Sequence, residues 1–418
     1  MFAHLLWTVV LGLGSAAAPE AIAIRAGALI DPASGTAQRN QVILISDGKI
    51  AQVGSQVTIP AGAKLVDLSN AWVLPGLIDA HTHITMDMEN LDDVLIGSAY
   101  LRESSARRAL RGLWNAEAIL KAGFTTVRDV GNDANYAAVD IRRALANGWF
   151  IGPTVLTTGK IITPFGGQSQ RVSPEQGPIW LYEYVDADTA DEIRKAVRQN
   201  IYYGAQAIKL VADNSAFFYT REEIAAAVAE AHAAGLPVSV HVGGGEAARN
   251  VILGGADSVE HGFQLSDELL QLMKEKGTAL VSTDFPEEHL KLMGMNEESD
   301  GKTLGQQIVD RLRRAHAIGV KLVFGTDCVL ARPDRRKADL MLDYFDVWKS
   351  AGIPSAVALK ALTTNAAELL RIQKVRGAIA PGMAADIIAV PSNPLDDLAA
   401  LKQVTFVMKG GRVVKQPQ

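Results

Sequence analysis

Eight short apolar runs, separated by segments with helical spacing, constrain the fold of this chain more than any other feature. Five runs end in His, Lys or Asp and cover residues 77–83, 207–209, 238–241, 258–261 and 323–327. The other three cover residues 125–130, 154–158 and 279–283. A strand that alternates with a helix eight times predicts an α/β fold, the (β/α)8 TIM barrel. Because the carboxyl ends of barrel strands converge on one face, we expect the polar residues that end these runs to meet there.

The two ends of the chain have a different sequence pattern, in which short apolar runs are joined by tight turns. Asp47-Gly48 and Gly410-Gly411 each separate two such runs, which is a strong hairpin signal. Neither end has enough strands to enclose a core alone. We therefore predict one small β-sandwich domain built from residues 19–75 and 375–418. The barrel, residues 76–374, is then inserted within it.

Composition excludes several functional classes. The 418 residues are 48% hydrophobic and 21% charged, which is enough to bury a large core. A net charge of -5 without long runs of either sign gives no electrostatic footprint for nucleic acid. Cys328 is the only cysteine, so an intramolecular disulfide and a thiolate zinc site are both excluded. A small-molecule partner is expected, and we expect the chain to form a homo-oligomer.

The first segment resembles a secretion signal. Residues 5–14 are apolar over the length of a signal-peptide core, and the small residues 15–18 follow. This predicts a signal peptide at residues 1–18 and export to the periplasm or the medium. The alternative is a buried first element of a cytoplasmic protein, because the segment before the apolar run has no Lys or Arg. No later run predicts a membrane span.

Histidines at the predicted strand ends indicate a metal site. His81 and His83 stand two residues apart at the end of one strand, so both imidazoles point to the same side. Alone, such a pair is more often ordinary polar residues at a strand terminus. His241, His261 and Asp327 end other strands, and imidazoles combined with a carboxylate suit zinc or a similar divalent ion. The sequence therefore predicts a shared metal centre at this face.

Five motifs carry a resemblance that extends over nearly the whole chain. They cover residues 75–83 (PGLIDAHTH), 123–131 (GFTTVRDVG), 260–262 (EHG), 325–327 (GTD) and 381–386 (PGMAAD). Together they resemble the amidohydrolase superfamily, and within it the imidazolonepropionase-like group with its Xaa-Pro dipeptidases, related carboxypeptidases and ochratoxin-degrading amidases. The resemblance implies two divalent ions, most simply Zn²⁺. One would be held by His81, His83 and Asp327, the other by His241 and His261, with carboxylated Lys209 as the bridge.

The chemistry of Lys209 and Asp327 fits those implied roles. A bare ammonium beside two divalent cations would be repelled, whereas a carbamate supplies two anionic oxygens. The alternative for Lys209 is a side chain whose head reaches solvent. The resemblance gives Asp327 the catalytic task of moving a proton from the attacking water to the leaving amine. Asp327 could also cap a helix after the last strand, and Cys328 is expected to pack in the core.

Two features favour one reaction over its rivals. Mononuclear cyclic-amide hydrolases and deaminases of the superfamily carry a glutamate shortly after the histidine of the fifth strand. Here Glu246 comes late enough to open the next helix instead. With Lys209 present, we expect a binuclear hydrolase that releases a C-terminal amino acid from dipeptides or N-acyl amino acids, including ochratoxin-like amides. The alternatives are a mononuclear cyclic-amide or ester hydrolase, and a catalytically silent assembly module, which would have lost metal ligands.

Substrate contacts are expected from the loops that follow the strands. The candidates are Gln168, Phe217, Phe218, Tyr219, His289 and Arg332. The three aromatic residues could stack on an aromatic substrate or pack under their loop. Arg332, in a cationic loop with Arg335, Arg336 and Lys337, could bind a free carboxylate or be solvated surface charge. His289 could equally be a surface histidine.

Overall fold

The structure is a computed structural model, and it describes residues 21–88, 102–168, 171–213, 217–299 and 301–417. The predicted signal peptide, residues 1–18, lies outside this range. Among the described helices, none combines the length and the apolar character needed to cross a membrane.

The described strands form three groups along the chain. The first group is β1 (Ile22–Asp31), β2 (Thr36–Ser46), β3 (Lys49–Gly54) and β4 (Lys64–Pro75). The second is β5 (Leu77–Thr82), β6 (Phe124–Asp129), β7 (Thr154–Thr157), β8 (Ile161–Thr163), β9 (Tyr184–Asp186), β10 (Ile208–Val211), β11 (Val238–Gly244), β12 (Ser258–Gln264), β13 (Ala279–Val281), β14 (Glu298–Ser299), β15 (Lys302–Thr303) and β16 (Leu322–Val323). The third is β17 (Ile387–Val390), β18 (Phe406–Lys409) and β19 (Arg412–Lys415).

Helices fill most of the connections between the strands of the second group. They are α1 (Ser105–Lys121), α2 (Ala137–Ala146), α3 (Ala190–Tyr203), α4 (Arg221–Ala233), α5 (Gly245–Leu253), α6 (Asp267–Lys276), α7 (Glu287–Leu292), α8 (Leu304–Ile318), α9 (Lys337–Met341), α10 (Tyr344–Ser350), α11 (Ser355–Ala361) and α12 (Thr364–Leu369). Short 3-10 helices occupy Pro174–Gln176, Ile179–Tyr182 and Leu398–Gln403. A capping box stabilises the first turn of α4, in which Thr220 and Glu223 cap each other's backbone reciprocally.

Strands from both ends of the chain share one sheet, in the order β19-β18-β17-β4-β1-β2-β3. Both predicted hairpin turns are confirmed. Asp47 and Gly48 join β2 to β3, Gly410 and Gly411 join β18 to β19, and all four have the positive φ that such turns require. The apolar faces of the two ends meet in a cluster of their own, in which Phe406 is fully buried with residues of β1 and β2.

The middle of the chain forms an α/β structure with two parallel sheets. Their orders are β5-β6-β7 and β16-β13-β12-β11-β10-β8-β9. Backbone hydrogen bonds connect both edge strands of the three-stranded sheet to the larger sheet. At the β5 edge, Ala80 N donates to the Phe324 oxygen at 3.0 Å, and at the β7 edge, Gln206 N donates to the Thr157 oxygen at 2.7 Å. The carboxyl ends of β5, β10, β11 and β12 therefore lie on the same side as the segment after β16.

Two details differ from the sequence expectation. The run at residues 323–327 yields only the two-residue strand β16, and no helix starts at Asp327, since the next described helix after it is α9. The helix-cap role considered for Asp327 is therefore wrong. In addition, the segment after β7 contains strand β8, which the sequence did not predict and which lies between β10 and β9 in the sheet. Glu246 lies in the first turn of α5, as expected.

Candidate metal centre

Three of the predicted ligands form a compact set. One ligand atom each from His81, His83 and Asp327 lies within 4.8 Å of the other two. Asp327 Oδ1 is 3.2 Å from His83 Nε2 and 3.6 Å from His81 Nε2. Two imidazole nitrogens and a carboxylate oxygen this close together are a donor set that suits a divalent transition metal.

The other predicted ligands adjoin this set. The ring of His261 lies 4.9 Å from that of His81, and the ring of His241 lies 4.3 Å from that of His261. Lys209 lines the same cavity as the four histidines and Asp327. All six side chains that the sequence selected therefore converge on one cavity.

A buried carboxylate orients His81. Glu260 Oε2 lies 2.6 Å from His81 Nδ1, so Nε2 is the ring nitrogen that faces Asp327. The other oxygen of Glu260 accepts hydrogen bonds from Arg128 at 2.8 Å and from Ser258 at 2.5 Å. Glu260 and Arg128 are completely buried. A carboxylate on the far nitrogen fixes both the tautomer and the direction of a metal-binding histidine.

Two further histidines have fixed rings. His83 Nδ1 lies 2.7 Å from the backbone oxygen of Gly131, and His261 Nδ1 lies 2.8 Å from the hydroxyl of Thr283. A neutral Nδ1–H can donate to each of these oxygens, which leaves Nε2 as the acceptor nitrogen. The surrounding loops thus hold these imidazoles in the tautomer that a metal ion requires.

Burial and mutual repulsion keep most of these imidazoles neutral. Burial, together with nearby Lys209, lowers the pKa of His241 to about 3 and that of His81 well below its usual value. Burial and the neighbouring histidines do the same for the pKa of His261. His83 differs, because burial lowers its pKa but the adjacent Asp327 carboxylate outweighs that and raises it. Neutral imidazole is the form that coordinates metal.

Lys209 lies in β10 and is 2% exposed. Burial lowers the pKa of its amine to about 8, although the Glu260 and Asp327 carboxylates partly offset the effect. The solvent-reaching alternative for Lys209 is therefore wrong, because its head does not extend into bulk water and the residue is almost fully buried. An amine with a depressed pKa is more often unprotonated near neutral pH, and only the unprotonated amine can be carboxylated.

Backbone strain is concentrated at the site. His261, Thr283 and Asp327 adopt φ values of 68°, 45° and 52°, a region that residues with a Cβ rarely occupy. His261 lies within β12, Thr283 follows β13 and Asp327 follows β16. Each turns its side chain into the site or against a ligand. Strain of this kind costs about 1–3 kcal/mol per residue and persists where the surrounding structure enforces it.

Asp79 and Gly325 connect the histidine strand to the Asp327 segment. Asp79 Oδ1 accepts backbone hydrogen bonds from His81 at 2.9 Å and from Thr326 at 3.1 Å. A Cβ on Gly325 would stand 2.8 Å from the Cβ of His81. Any larger residue at this position would therefore push the two metal-binding segments apart.

The cavity above the six side chains has a volume of about 250 Å³. Methionine and phenylalanine side chains supply much of its wall, namely Met86, Met88, Met293, Met295, Phe263 and Phe285. Asn132, Tyr184 and Gln168 form a polar wall, in which Asn132 donates to the Tyr184 hydroxyl at 3.1 Å. Such a pocket suits a ligand that is mainly apolar and has few polar groups.

Gln168 is the one substrate candidate that lines this cavity. Its amide nitrogen lies 3.4 Å from His241 Nε2, and its oxygen accepts a hydrogen bond from the Tyr184 hydroxyl at 3.4 Å. The side chain therefore stands beside the metal centre, where it can hydrogen-bond to a substrate.

The aromatic candidates do not line the cavity. Tyr219 is 2% exposed and donates its hydroxyl proton to the Ala187 oxygen at 2.8 Å. It therefore packs under its loop, and the prediction that it stacks on a substrate is wrong. Phe217 and Phe218 are about half exposed and absent from the cavity wall. Substrate contact by these two stays a prediction.

His289 and Arg332 also lie away from the cavity wall. His289 is buried with its Nε2 3.1 Å from Asp343 Oδ2, so the surface alternative is wrong. Arg332 pairs with Asp334 of its own loop at 3.1 Å. Its cationic neighbours are engaged too, since Arg335 forms a bidentate pair with Asp343. Arg332 and Arg335 therefore pair with carboxylates of the protein itself.

Cys328 takes no part in the site. Its side chain is buried, and burial raises the pKa of the thiol to about 12. A thiol that stays protonated is no nucleophile, which fits the expected packing role.

Sequence reasoning missed the residues that hold the ligands. Glu260 was noted only as part of a motif, and Arg128, Asp79 and Thr283 had no assigned role. The sequence contained one signal for such residues, namely charged side chains within apolar strands. Because a charge is rarely buried without a partner, a charged residue there is expected to pair with another polar group.

Comparison with known proteins identifies hydrolases that are similar to most of this chain. The model of the amidohydrolase family matches residues 72–414. Ochratoxinase of Aspergillus niger is 31% identical over 429 residues, which span 94% of this chain and 86% of that protein.

Two solved structures are similar over their whole length. A Xaa-Pro dipeptidase with methionine bound in its active site has a TM-score of 0.81 and 30% identity, covering 94% of this chain and 99% of that one. A prolidase in complex with N-methylphosphonate-L-proline has a TM-score of 0.82 and 26% identity, covering 95% and 100%.

Proposed function

The chain belongs to the amidohydrolase family and hydrolyses amide bonds, and we propose that it is a binuclear metal enzyme. The proposed reaction releases a C-terminal amino acid from a dipeptide or an N-acyl amino acid, with ochratoxin-like amides among the substrates. One observation carries the proposal, namely that four histidines, Lys209 and Asp327 line a single cavity.

The residues present fit two divalent ions, for which we propose Zn²⁺. The compact set of His81, His83 and Asp327 would hold one ion. His241 and His261 would hold the second, and Lys209 would bridge the two as a carbamate. Bound ions of this kind lower the pKa of a water molecule and polarise a carbonyl group.

Asp327 is the proposed proton carrier. Its carboxylate contacts His83, and 16% of the Asp327 side chain remains exposed. A carboxylate in that position can accept a proton from the attacking water and deliver it to the leaving amine nitrogen. Gln168, whose amide nitrogen lies 3.4 Å from His241 Nε2, would hydrogen-bond to the substrate amide or to its acyl group.

The cavity walls support an apolar substrate. Four methionines and two phenylalanines surround the polar groups, and methionine adapts its shape to different apolar side chains. Ochratoxinase, at 31% identity, supports an N-acyl amino acid. The Xaa-Pro dipeptidase, at 30% identity, supports a dipeptide.

A mononuclear cyclic-amide or ester hydrolase is the second candidate. One observation favours it. Among the described residues, His81, His83 and Asp327 are the one group of three or more His, Cys, Asp or Glu residues whose ligand atoms all lie within 4.8 Å of one another. In that case Lys209 would remain an unmodified amine.

The proposal extends to architecture and location. We propose that the eight parallel strands β5, β6, β7, β10, β11, β12, β13 and β16 close into the (β/α)8 barrel of residues 76–374. The hydrogen bonds at both sheet edges support closure. Residues 19–75 and 375–418 would form the β-sandwich, residues 1–18 a cleaved export signal, and the mature chain a homo-oligomer.

Metal reconstitution followed by a substrate screen tests the function. Protein stripped by a chelator is titrated with Zn²⁺, metal content is measured per chain, and hydrolysis of N-acyl amino acids, dipeptides, cyclic amides and esters is compared. We expect activity to reach a plateau at two ions per chain and to favour the first two substrate classes. A plateau at one ion with preference for cyclic amides or esters would establish the second candidate, and full activity without metal would overturn both.

A further inference from the structure

A second cavity lies between the barrel-forming part of the chain and the C-terminal hairpin. Its volume is about 450 Å³, within the range of roughly 300–1,000 Å³ that small-molecule sites occupy. Thr154, which opens β7, and Gln206, which precedes β10, form part of its wall, and β18 and β19 supply another part. The metal centre lies at the carboxyl ends of the strands, so the two cavities are separate.

Positive charge dominates this second cavity. Arg142, Arg376, Lys409 and Arg412 line it. Arg376 and Lys409 share one carboxylate, since Asp386 Oδ2 accepts from Arg376 Nε at 2.9 Å and from Lys409 Nζ at 2.6 Å.

The remaining charges are not neutralised within the described part of the chain. Asp386 Oδ1 already accepts the backbone N–H of Gly410 at 2.8 Å. Arg142 donates to the backbone oxygen of Gly204 at 3.2 Å, a contact that brings no negative charge. Arg412 has no carboxylate partner among the described residues, so two of the four cations have no carboxylate and the other two share one. Clustered cations with little countercharge raise the local concentration of anions.

Two buried polar atoms of this cavity have no hydrogen-bond partner among the described residues. They are Arg142 Nε, a donor, and Gln206 Oε1, an acceptor. A buried donor without a partner costs about 1–3 kcal/mol of stability. An anion that enters the cavity would bring a countercharge to the Arg142 guanidinium, which lines it.

Apolar side chains also line the cavity. Leu145 of α2, Phe150, Ile151 and Val414 of β19 line it. Phe150 is 50% exposed and Ile151 is 38% exposed. Exposed apolar side chains beside a cationic cavity indicate a ligand with both characters.

We propose that this cavity is a binding site for a small amphipathic carboxylate, such as a medium-chain fatty acid. The carboxylate lies between Arg142 and Arg412 and pairs with their guanidinium groups. The apolar tail lies along Leu145, Phe150 and Ile151. Size favours a carboxylate of modest length, because the cavity is bounded by β7 on one side and the hairpin on the other.

Binding of octanoate to the full-length, metal-loaded protein tests the site, by isothermal titration calorimetry. Octanol and acetate are the matched probes, since the first lacks the charge and the second lacks the tail. We expect octanoate to bind with one site per chain and both controls to bind at least about tenfold more weakly, because each loses one of the two interactions. Equal binding of octanol, or no binding of octanoate, would overturn the proposal.

Substitutions locate the bound anion. Arg142→Gln and Arg412→Gln should each weaken octanoate binding by about tenfold. Arg143→Gln is the control, because Arg143 is the next residue on α2 and pairs with Asp140 at the surface. Amide hydrolysis should be unchanged in all three variants. Octanoate affinity that is unaffected by both Arg142→Gln and Arg412→Gln would place the anion elsewhere, for example at the metal centre, and would refute the site.

Discussion

Glu260 and His81 are 179 positions apart in the chain, yet a carboxylate oxygen of one lies 2.6 Å from Nδ1 of the other. The pair is buried, and Arg128 and Ser258 hold the carboxylate from its other side. The contact aims His81 Nε2 at Asp327. The first histidine of the H-x-H pair is therefore oriented by the strand that also carries His261.

The first prediction concerns this pair. Glu260→Gln keeps a hydrogen-bond acceptor for His81 but removes the negative charge, so metal affinity should fall by about tenfold or more. Competition against a chromophoric chelator measures the affinity, and circular dichroism verifies the fold. Glu246→Gln, in the exposed first turn of α5, is the control. Equal affinities of the two variants would show that Glu260 does not tune the ligand.

The second prediction concerns Lys209. Lys209→Ala removes the proposed bridge, so the protein should lose at least one of its two ions per chain. Elemental analysis after dialysis measures the content. Lys160→Ala is the control, since Lys160 is also partly buried but donates to the Leu181 oxygen, outside the metal cavity. Two ions retained by Lys209→Ala would show that the bridging role was misassigned.

The third prediction separates catalysis from folding at Asp327. Asp327→Asn preserves the size of the side chain and removes its basicity, so kcat should fall by about 100-fold or more. The thermal midpoint should change little, because Asn accepts the left-handed backbone of this position more readily than most residues. Asp334→Asn, in the exposed pair with Arg332, should retain full turnover. Near-normal kcat in Asp327→Asn would contradict the proton-carrier role.

The fourth prediction compares two substrate candidates. Gln168→Ala should raise KM by about fivefold, the effect of losing one uncharged hydrogen bond. Arg332→Ala should leave KM unchanged, because Arg332 pairs with Asp334 and lies outside the cavity wall. Steady-state kinetics on an N-acyl amino acid measure both. A raised KM in Arg332→Ala alone would restore the carboxylate-binding role that the sequence suggested.

Much of the fold was predictable because local patterns determined it. The apolar runs that end in polar residues predicted strands. Asp47-Gly48 predicted a hairpin, because few other dipeptides accept two positive φ values. His81 and His83 were predictable as a pair because side chains alternate along a strand with period two.

The supporting contacts were not predictable, because they depend on distance in space and not in sequence. Nothing local to Glu260 shows that it meets His81. Tyr219 follows two exposed phenylalanines, and what distinguishes it is a distant contact, since its hydroxyl donates to the Ala187 oxygen. The positive φ of Asp327 likewise arises from tertiary contacts, since its backbone N–H donates to the His81 oxygen at 2.7 Å.

Asp343 should make the stability of the chain depend on pH. Burial raises its pKa, but hydrogen bonds from His289 and Arg335 outweigh burial and lower the pKa from 3.8 to about 2. A carboxyl group whose pKa is lower in the folded than in the unfolded chain contributes its full stabilisation at any pH well above the pKa of the unfolded chain. That contribution is lost as the pH falls from 3.8 towards 2, because the unfolded chain takes up the proton first.

The fifth prediction follows from that shift. Asp343→Asn should lower the free energy of unfolding at pH 6 by about 1 kcal/mol, a figure reduced from the full linkage value because the ion pair is partly exposed. The difference from the unsubstituted protein should shrink as the pH approaches 3, since Asp343 is then increasingly protonated in the unfolded chain. Urea denaturation at both pH values measures it. Asp346→Asn, in an exposed pair with Lys402, should change stability by less at either pH, and a pH-independent loss in Asp343→Asn would contradict the assignment.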